Sequence, residues 1–385
     1  MSPLSSRLND IHPFHVMSLL RKASELEQAG RDIVHMEIGE PDFPTPPKVI
    51  EAGIRALQSG NIKYTVTAGL PELRRAIARF YAMRYGIEIS SERILVTPGG
   101  SGALLLAFAA LVQNPAGILM ADPCYPCNRN MIRLFDGQAQ LLAVGPERNY
   151  QLDLESVETH WTESTRGVLV ASPSNPTGTL IDAKQFQSII EFVESRNGFV
   201  ISDEIYHGLH YSQAPATALE FSDRAFVVNS FSKYFGMTGW RLGWLVVPDQ
   251  LVDAVERLAQ NLFISAPAHS QLAALAAFEP DNIVELERRR DAFRQRRDFM
   301  IDRLARIGFD IPVTPDGAFY IYAGCERFSS NSFEFADSLL ERYGVAITPG
   351  KDFGVYRPQS HVRFAYTNSL ERLAQGLDRL RDALG

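Results

Sequence analysis

The chain has 385 residues, 45% of them hydrophobic and 22% charged, with a formal net charge of -7. That length predicts one large and one smaller domain, in the balance typical of a soluble globular protein. The negative charge argues against nucleic-acid binding, and three cysteines are too few for a disulfide framework, which suits a reducing compartment. The opening stretch "MSPLSSRLNDIHPFHVM" lacks the apolar core of a signal peptide. The longest apolar run, Ala103 to Val112, is about half a membrane span. A cytoplasmic location is therefore expected.

A helix is predicted from Val16 to Gly30, then a short strand in "DIVHMEIG" and the turn-rich "EPDFPTPP". From Lys48 to Phe278, short apolar runs alternate with amphipathic runs of helix length. The strand candidates are "RILVTP", "GILMADP", "AQLLAV", "GVLVASP", "GFVISDE", "AFVVNSFS" and "RLGWLVVP". Several are apolar throughout, as strands covered on both faces should be. The alternation predicts an α/β fold, with a mainly parallel seven-stranded sheet flanked by helices. Polar residues gather after the strand candidates, where such sheets bind ligands. Beyond Asn282 comes an arginine-rich helix pattern, read as a solvated face. Short strands are expected in "GFDIPV", "GAFYIYAG", "GVAITPG" and "HVRFAY", before a closing helix. The expected division is an arm over 1–47 that partly joins the small domain, a large domain over 48–282, and a small α+β domain over 283–385.

One lysine stands out. In "SFSKYFGMTGWRLGW" (Ser230 to Trp244), Lys233 has apolar and aromatic neighbours. A buried ammonium is costly, so burial favours the neutral amine. A neutral amine is a nucleophile whose commonest covalent use is a Schiff base with a carbonyl. Elsewhere, "TPGGSG" places free N–H groups and Ser101 between a strand and a helix, which reads equally as an anion cup or a tight turn. Asp203 in "SDEIY" is either a helix cap or the partner of a cation. Asn175 in "SPSNPTG" is either turn chemistry or an amide presented to a ligand. The "CYPC" pair and the His207/His210 pair lack further ligands, so neither a redox nor a metal role is expected.

The combination is more specific than its parts. A lysine, an anion cup and a buried carboxylate are the protein groups used by pyridoxal 5′-phosphate. From "IGEPDFPTP" to "VRFAYT" the chain resembles the class I/II aminotransferases of fold type I, with "SFSKYFGMTGWRLGW" the most specific motif. The resemblance implies that Lys233 bonds the cofactor and later moves the substrate proton. It places Asp203 on the pyridine nitrogen, and Asn175 and Tyr206 on the ring oxygen. Gly100, Ser101, Gly102, Ser230 and Arg241 form the phosphate cup, with Ser232 assisting, and Tyr125 stacks on the ring. Tyr64 reaches the phosphate of a neighbouring subunit, which implies a homodimer with shared sites. Arg363 clamps the substrate α-carboxylate, and the backbone of Gly39 meets the substrate.

The implied reaction is ping-pong transamination between an L-amino acid and a 2-oxo acid. Aspartate-using relatives carry a lysine where this chain has Ser101, which weakens the case for aspartate. By the same resemblance, Phe14, His15, Val16 and Met17 fall near where the family closes on the substrate side chain, which leans toward a neutral, apolar or aromatic donor. Carbon–sulfur β-elimination and decarboxylation are rivals on the same cofactor cup. A non-catalytic regulator sensing pyridoxal phosphate is more remote, because the core resemblance begins near Asp32 and leaves too little chain for an output module.

Overall fold

Successive residues of the apolar runs turn to opposite sides of one sheet. The computed structural model describes residues 4–11, 13 and 15–385. Its strands are β1 Val34–His35, β2 Ile94–Thr97, β3 Gly117–Asp122, β4 Gln138–Ala143, β5 Thr165–Ala171 and β6 Phe199–Asp203. They continue with β7 Phe226–Ser230, β8 Gly243–Val246, β9 Tyr320–Gly324, β10 Val345–Ala346, β11 Thr348–Pro349 and β12 His361–Ala365. Seven of these form the large sheet, in the order β2-β8-β7-β6-β5-β3-β4. Only β8 runs antiparallel to its neighbours. Leu119, Val168, Val200, Val227 and Trp244 join the core on one face. Ile118, Leu169, Ile201, Val228 and Leu245 join the core on the other. Strand periodicity of two, with helices over both faces, produces this double burial.

The parallel direction sends the carboxyl ends of β2, β3, β5, β6 and β7 to one edge. Thr97, Asp122, Ala171, Asp203 and Ser230 end those strands. A second, antiparallel sheet has the order β11-β12-β9. It brings Arg363 of β12 opposite Thr348 on one side and Tyr322 on the other. The N-terminal helix His15–Gln28 packs Leu19 and Ala23 against Ile33, Leu340 and Ala346. Beside it, β1 pairs with β10, tying the beginning of the chain to its C-terminal part.

Two expectations need correction. "GFDIPV" forms no strand, only a bridge between Asp310 and Gly324. Pro312 has no N–H for a ladder. The arginine-rich segment is the helix Pro280–Ile307, but its arginines are not simply a solvated face. Arg289 and Arg296 are buried. Arg296 forms a two-pronged pair with Asp42, at 2.6 and 2.9 Å, and Arg289 donates to the Pro44 carbonyl. Both guanidinium groups pack on the Phe43 ring. These contacts fix the segment that follows Gly39.

Candidate active site

A cavity of about 300 Å³ opens at the carboxyl ends of the strands, where the second sheet and the N-terminal helix meet the large one. Lys233, Asp203, Tyr206, Asn175, Tyr125, Gly100, Ser101, Gly39 and Arg363 line it. Residues far apart in sequence thus converge on one volume.

Lys233 follows β7 and is half-buried at the cavity wall. Its Nζ donates to the Gly39 carbonyl at 2.6 Å and lies 5.8 Å from the Phe319 ring centroid. Burial pushes its pKa down to about 8, with Arg363 and Arg241 adding repulsion and Glu40 opposing the shift. The amine is therefore closer to its neutral form than a surface lysine would be. Asp203 is buried at the end of β6. No helix follows it, so the capping alternative falls. Its Oδ1 accepts one backbone N–H, from Ile205 at 3.2 Å, and burial raises its pKa to about 6. A buried carboxylate with so little compensation calls for a cation from the cavity.

The anion cup is assembled without a capping side chain. The helix Gly99–Leu111 begins after Pro98, which offers no side-chain cap to its first N–H groups. Gly99 has φ of +75°, and a Cβ there would lie 2.7 Å from the Arg241 guanidinium. Arg241 itself holds φ of +52°, a left-handed geometry that is rare for a side-chain-bearing residue. Ser230 Oγ lies 2.9 Å from Ser232 Oγ and accepts the Ser232 N–H at 3.0 Å. A Cβ on Gly243 would come within 2.7 Å of the Gly100 nitrogen, so β8 and the helix start close against each other. Gly102 packs behind this turn, where a Cβ would meet Pro98 at 3.0 Å.

Arg363 is buried and donates from Nη1 to Asn175 Oδ1 at 2.8 Å. Nη2 donates to the Glu37 carbonyl, and to Thr348 Oγ1 at 3.3 Å. Its Nε is buried without a partner among the described residues. Because Asn175 spends its oxygen on Arg363, its amide N–H groups are left for a ligand. The guanidinium also lies 4.3 Å from the Tyr320 ring centroid and 4.9 Å from that of Phe353.

Sequence reading missed Tyr320. It lines the cavity, and its hydroxyl is 2.8 Å from that of Tyr206. A Cβ on Gly39 would fall 1.8 Å from the same hydroxyl, so the close approach requires glycine there. The alternation in "GAFYIY" was the available signal, since β9 pairs with the strand carrying Arg363. Tyr64 does not line the cavity; the residue is 80% exposed. His207 also lies elsewhere, with Nδ1 2.8 Å from the Tyr85 hydroxyl. Val16 and Met17 line the cavity, whereas Phe14 lies outside the described residues.

An uncapped helix start backed by two serines and an arginine fits a phosphate. A dry carboxylate fits a protonated ring nitrogen, and a lysine of lowered pKa fits a carbonyl. Together they define a fold-type I enzyme that uses pyridoxal 5′-phosphate. The pattern of the family "Aminotransferase class I and II" matches residues 31–380, and the chain belongs to that family. It is 39% identical over 372 residues to a valine–pyruvate aminotransferase of Mycobacterium tuberculosis, covering 96% of both chains. It is 34% identical to an aspartate aminotransferase of Thermotoga maritima, covering 99% of both. A crystal structure of an aminotransferase from Mycobacterium tuberculosis superposes with a TM-score of 0.96 at 38% identity, covering 100% of this chain and 99% of that one. The protein is thus an aminotransferase acting on an amino acid and a 2-oxo acid.

Proposed function

We propose that this aminotransferase takes an L-amino donor with a neutral, apolar or aromatic side chain. The observation that carries the reading is the charge on the cavity wall. Among the described lining residues the cations are Lys233 and Arg363, and both have other tasks. The remaining wall includes Val16, Met17, Leu20, Ile38, Leu104 and Ile205. A distal carboxylate would enter such a wall unpaired, at a high desolvation cost.

Pyridoxal phosphate, when bound, supplies a carbonyl that accepts the amino group and a ring that accepts an electron pair. The chain's residues do the rest. Gly100, Ser101, Gly102, Ser230 and Arg241 would hold its phosphate, and Tyr125 would lie against its ring. Asp203 would keep the ring nitrogen protonated, and Asn175 and Tyr206 would donate to the ring oxygen. Arg363 orients the donor α-carboxylate through its fork, helped by Asn175 and the Gly39 backbone. The Lys233 amine takes the proton from the donor α-carbon and returns it on the other side of the reaction.

The same proposal includes a homodimer with shared sites. Ile50, Ile54 and Leu57 are exposed on one stripe of the helix Pro47–Gln58, and Tyr64, Val66 and Ile264 are exposed as well. Such an apolar surface supports an interface across which Tyr64 reaches the partner's phosphate site. The division into 1–47, 48–282 and 283–385 belongs to the proposal, as does a cytoplasmic location. No described helix is long and apolar enough to cross a membrane.

The test is the absorption spectrum of the cofactor-loaded protein, titrated with single amino acids and then with 2-oxo acids. Loss of the cofactor band with apolar or aromatic donors, and its return with an oxo acid, is expected. Aspartate reacting most efficiently would defeat the donor assignment.

A further inference from the structure

The cavity wall that meets the donor side chain is held in place by a residue with no contact to the cavity. The helix His15–Gln28 supplies Val16, Met17 and Leu20 to that wall. Its first two N–H groups go to one side chain across the fold. His15 N–H donates to Asp352 Oδ1 at 2.9 Å, and Val16 N–H donates to Asp352 Oδ2 at 2.8 Å. Asp352 is buried, and its own carbonyl accepts Arg129 Nη2 at 3.0 Å. A carboxylate at a helix start satisfies N–H groups that otherwise lack partners and favours the positive end of the helix dipole. The His15 ring adds an edge contact with Phe333, 5.6 Å between centroids.

Asp352 sits in the turn Gly350–Asp352, directly after β11. β11 pairs with β12, which carries Arg363. The next residue, Phe353, is fully buried and packs its ring on the Arg363 guanidinium. One short turn therefore fixes two objects. Phe353 supports the arginine assigned to the α-carboxylate, and Asp352 supports the helix that walls the side-chain space. The distance between those two recognition elements is set within this turn.

We propose that Asp352 is a positioning residue for donor selection. It holds the N-terminal helix at a fixed distance from Arg363, so that an apolar side chain longer than a methyl meets the Val16, Met17 and Leu20 wall. The inference rests on the donor class proposed above. It predicts that loss of the clamp is felt by L-leucine and hardly by L-alanine, whose side chain is too short to reach the wall.

The test uses the cofactor-loaded full chain. Donor reaction is followed by cofactor absorbance with L-leucine or L-alanine alone. Asp352→Asn keeps the shape but replaces one acceptor by a donor. It is expected to lower the second-order rate constant for leucine about tenfold relative to that for alanine. Hydrogen exchange in residues 15–20 is expected to rise about tenfold, with the helix Leu370–Leu384 unchanged. In a Met17→Ala, Leu20→Ala background, Asp352→Asn should add no further change in the leucine-to-alanine ratio. Equal losses for both donors, unchanged exchange in 15–20, or an undiminished effect in the double-variant background would each overturn the proposal. If Asp352→Asn does not fold, the double variant alone decides: an unchanged leucine-to-alanine ratio there would show that the helix selects nothing. A wild-type protein that reacts with alanine and aspartate but not leucine would instead defeat the donor class, while the exchange measurement still judges the clamp.

Discussion

The cavity has two walls of different construction. The wall toward the large sheet is made of residues that directly follow strands: Ser101 after β2, Asp203 at the end of β6, Lys233 after β7. Each is fixed by a backbone already held in a seven-stranded sheet. The opposite wall is made of the N-terminal helix, Tyr320 and Arg363, which meet only through long-range contacts. The proposed roles divide along the same line. The groups proposed to act on the cofactor stand at the ends of the sheet strands, where sub-ångström placement is easiest to keep. The groups proposed to bind the donor, Arg363 at the α-carboxylate and the N-terminal helix at the side chain, stand on pieces whose relative position can be tuned without disturbing the sheet.

Replacing Lys233 should break the first wall most severely. Lys233→Ala removes the amine assigned to proton movement, and general acid–base catalysis alone is worth about 10²–10⁴-fold. Turnover is expected to fall by at least about 10⁴-fold for every donor alike, because the cofactor bond is lost as well. Steady-state assays over a donor panel check both the size and the uniformity. Near-native turnover would sink the assignment.

Arg363 tests the second wall. Arg363→Lys keeps the charge but loses the fork to Asn175 and the Glu37 carbonyl, and the stacking on Tyr320 and Phe353. The kcat/KM for amino donors should fall about 100-fold, mostly through KM. A change confined to kcat would move Arg363 from substrate binding to the cofactor side. A smaller effect is expected at the junction of the walls. Ser101 lines the cavity at the helix start, at the place where the family resemblance implies a lysine in enzymes that prefer aspartate. Ser101→Lys should raise the aspartate-to-leucine ratio of kcat/KM about tenfold, the worth of one partly solvated charge pair. No movement of that ratio would show that the wall beyond Ser101, rather than charge, excludes the acid.

The two walls also differ in how far they could be read from residues alone. Lys233 stood out by its apolar surroundings, whereas Asp203 and Asn175 each kept a bland alternative until the family resemblance joined them. All three line the cavity because each sits in a short motif after a strand, so position along the chain nearly fixes position in space. Asp352 was not legible, since its partners His15 and Val16 are more than 300 residues away and no local pattern joins them. The buried Arg289 and Arg296 were misread for a related reason. Their run of charge looks solvated until Asp42, Phe43 and Pro44 arrive from the other end of the chain. Tyr320 lay between these cases. Strand alternation in "GAFYIY" could have given its face, though not the hydroxyl of Tyr206 that it meets.

The sheet wall has a second layer that a gentler experiment reaches. Glu204 follows Asp203 but points away from the cavity. Its Oε1 accepts from Ser202 Oγ, Thr217 Oγ1 and the Ala218 N–H, each at 2.9 Å. Oε2 has no hydrogen-bond partner among the described residues and lies 3.5 Å from His207 Nδ1. Burial raises the Glu204 pKa from 4.5 to about 8, and lowers that of His207 to about 3. An acid whose folded pKa is raised holds its proton better folded than unfolded. Its stabilising effect is complete below pH 4.5 and is lost as pH rises through about 8. His207 acts in the opposite sense, losing stability as pH falls below 6.5. His35, held up to about 9 by its hydrogen bond to Glu37, also titrates between pH 6.5 and 8, but it is common to wild type and variant and cancels in their difference. Glu204→Gln stays neutral at every pH. Its stability relative to wild type should therefore rise across that interval by about 1–2 kcal/mol, read from urea midpoints of the loaded protein. Donor preference should stay unchanged, because Glu204 touches neither wall's inner face. A flat difference would mean that Glu204 is already ionised behind Asp203, and that the dry second layer is wetter than its contacts suggest.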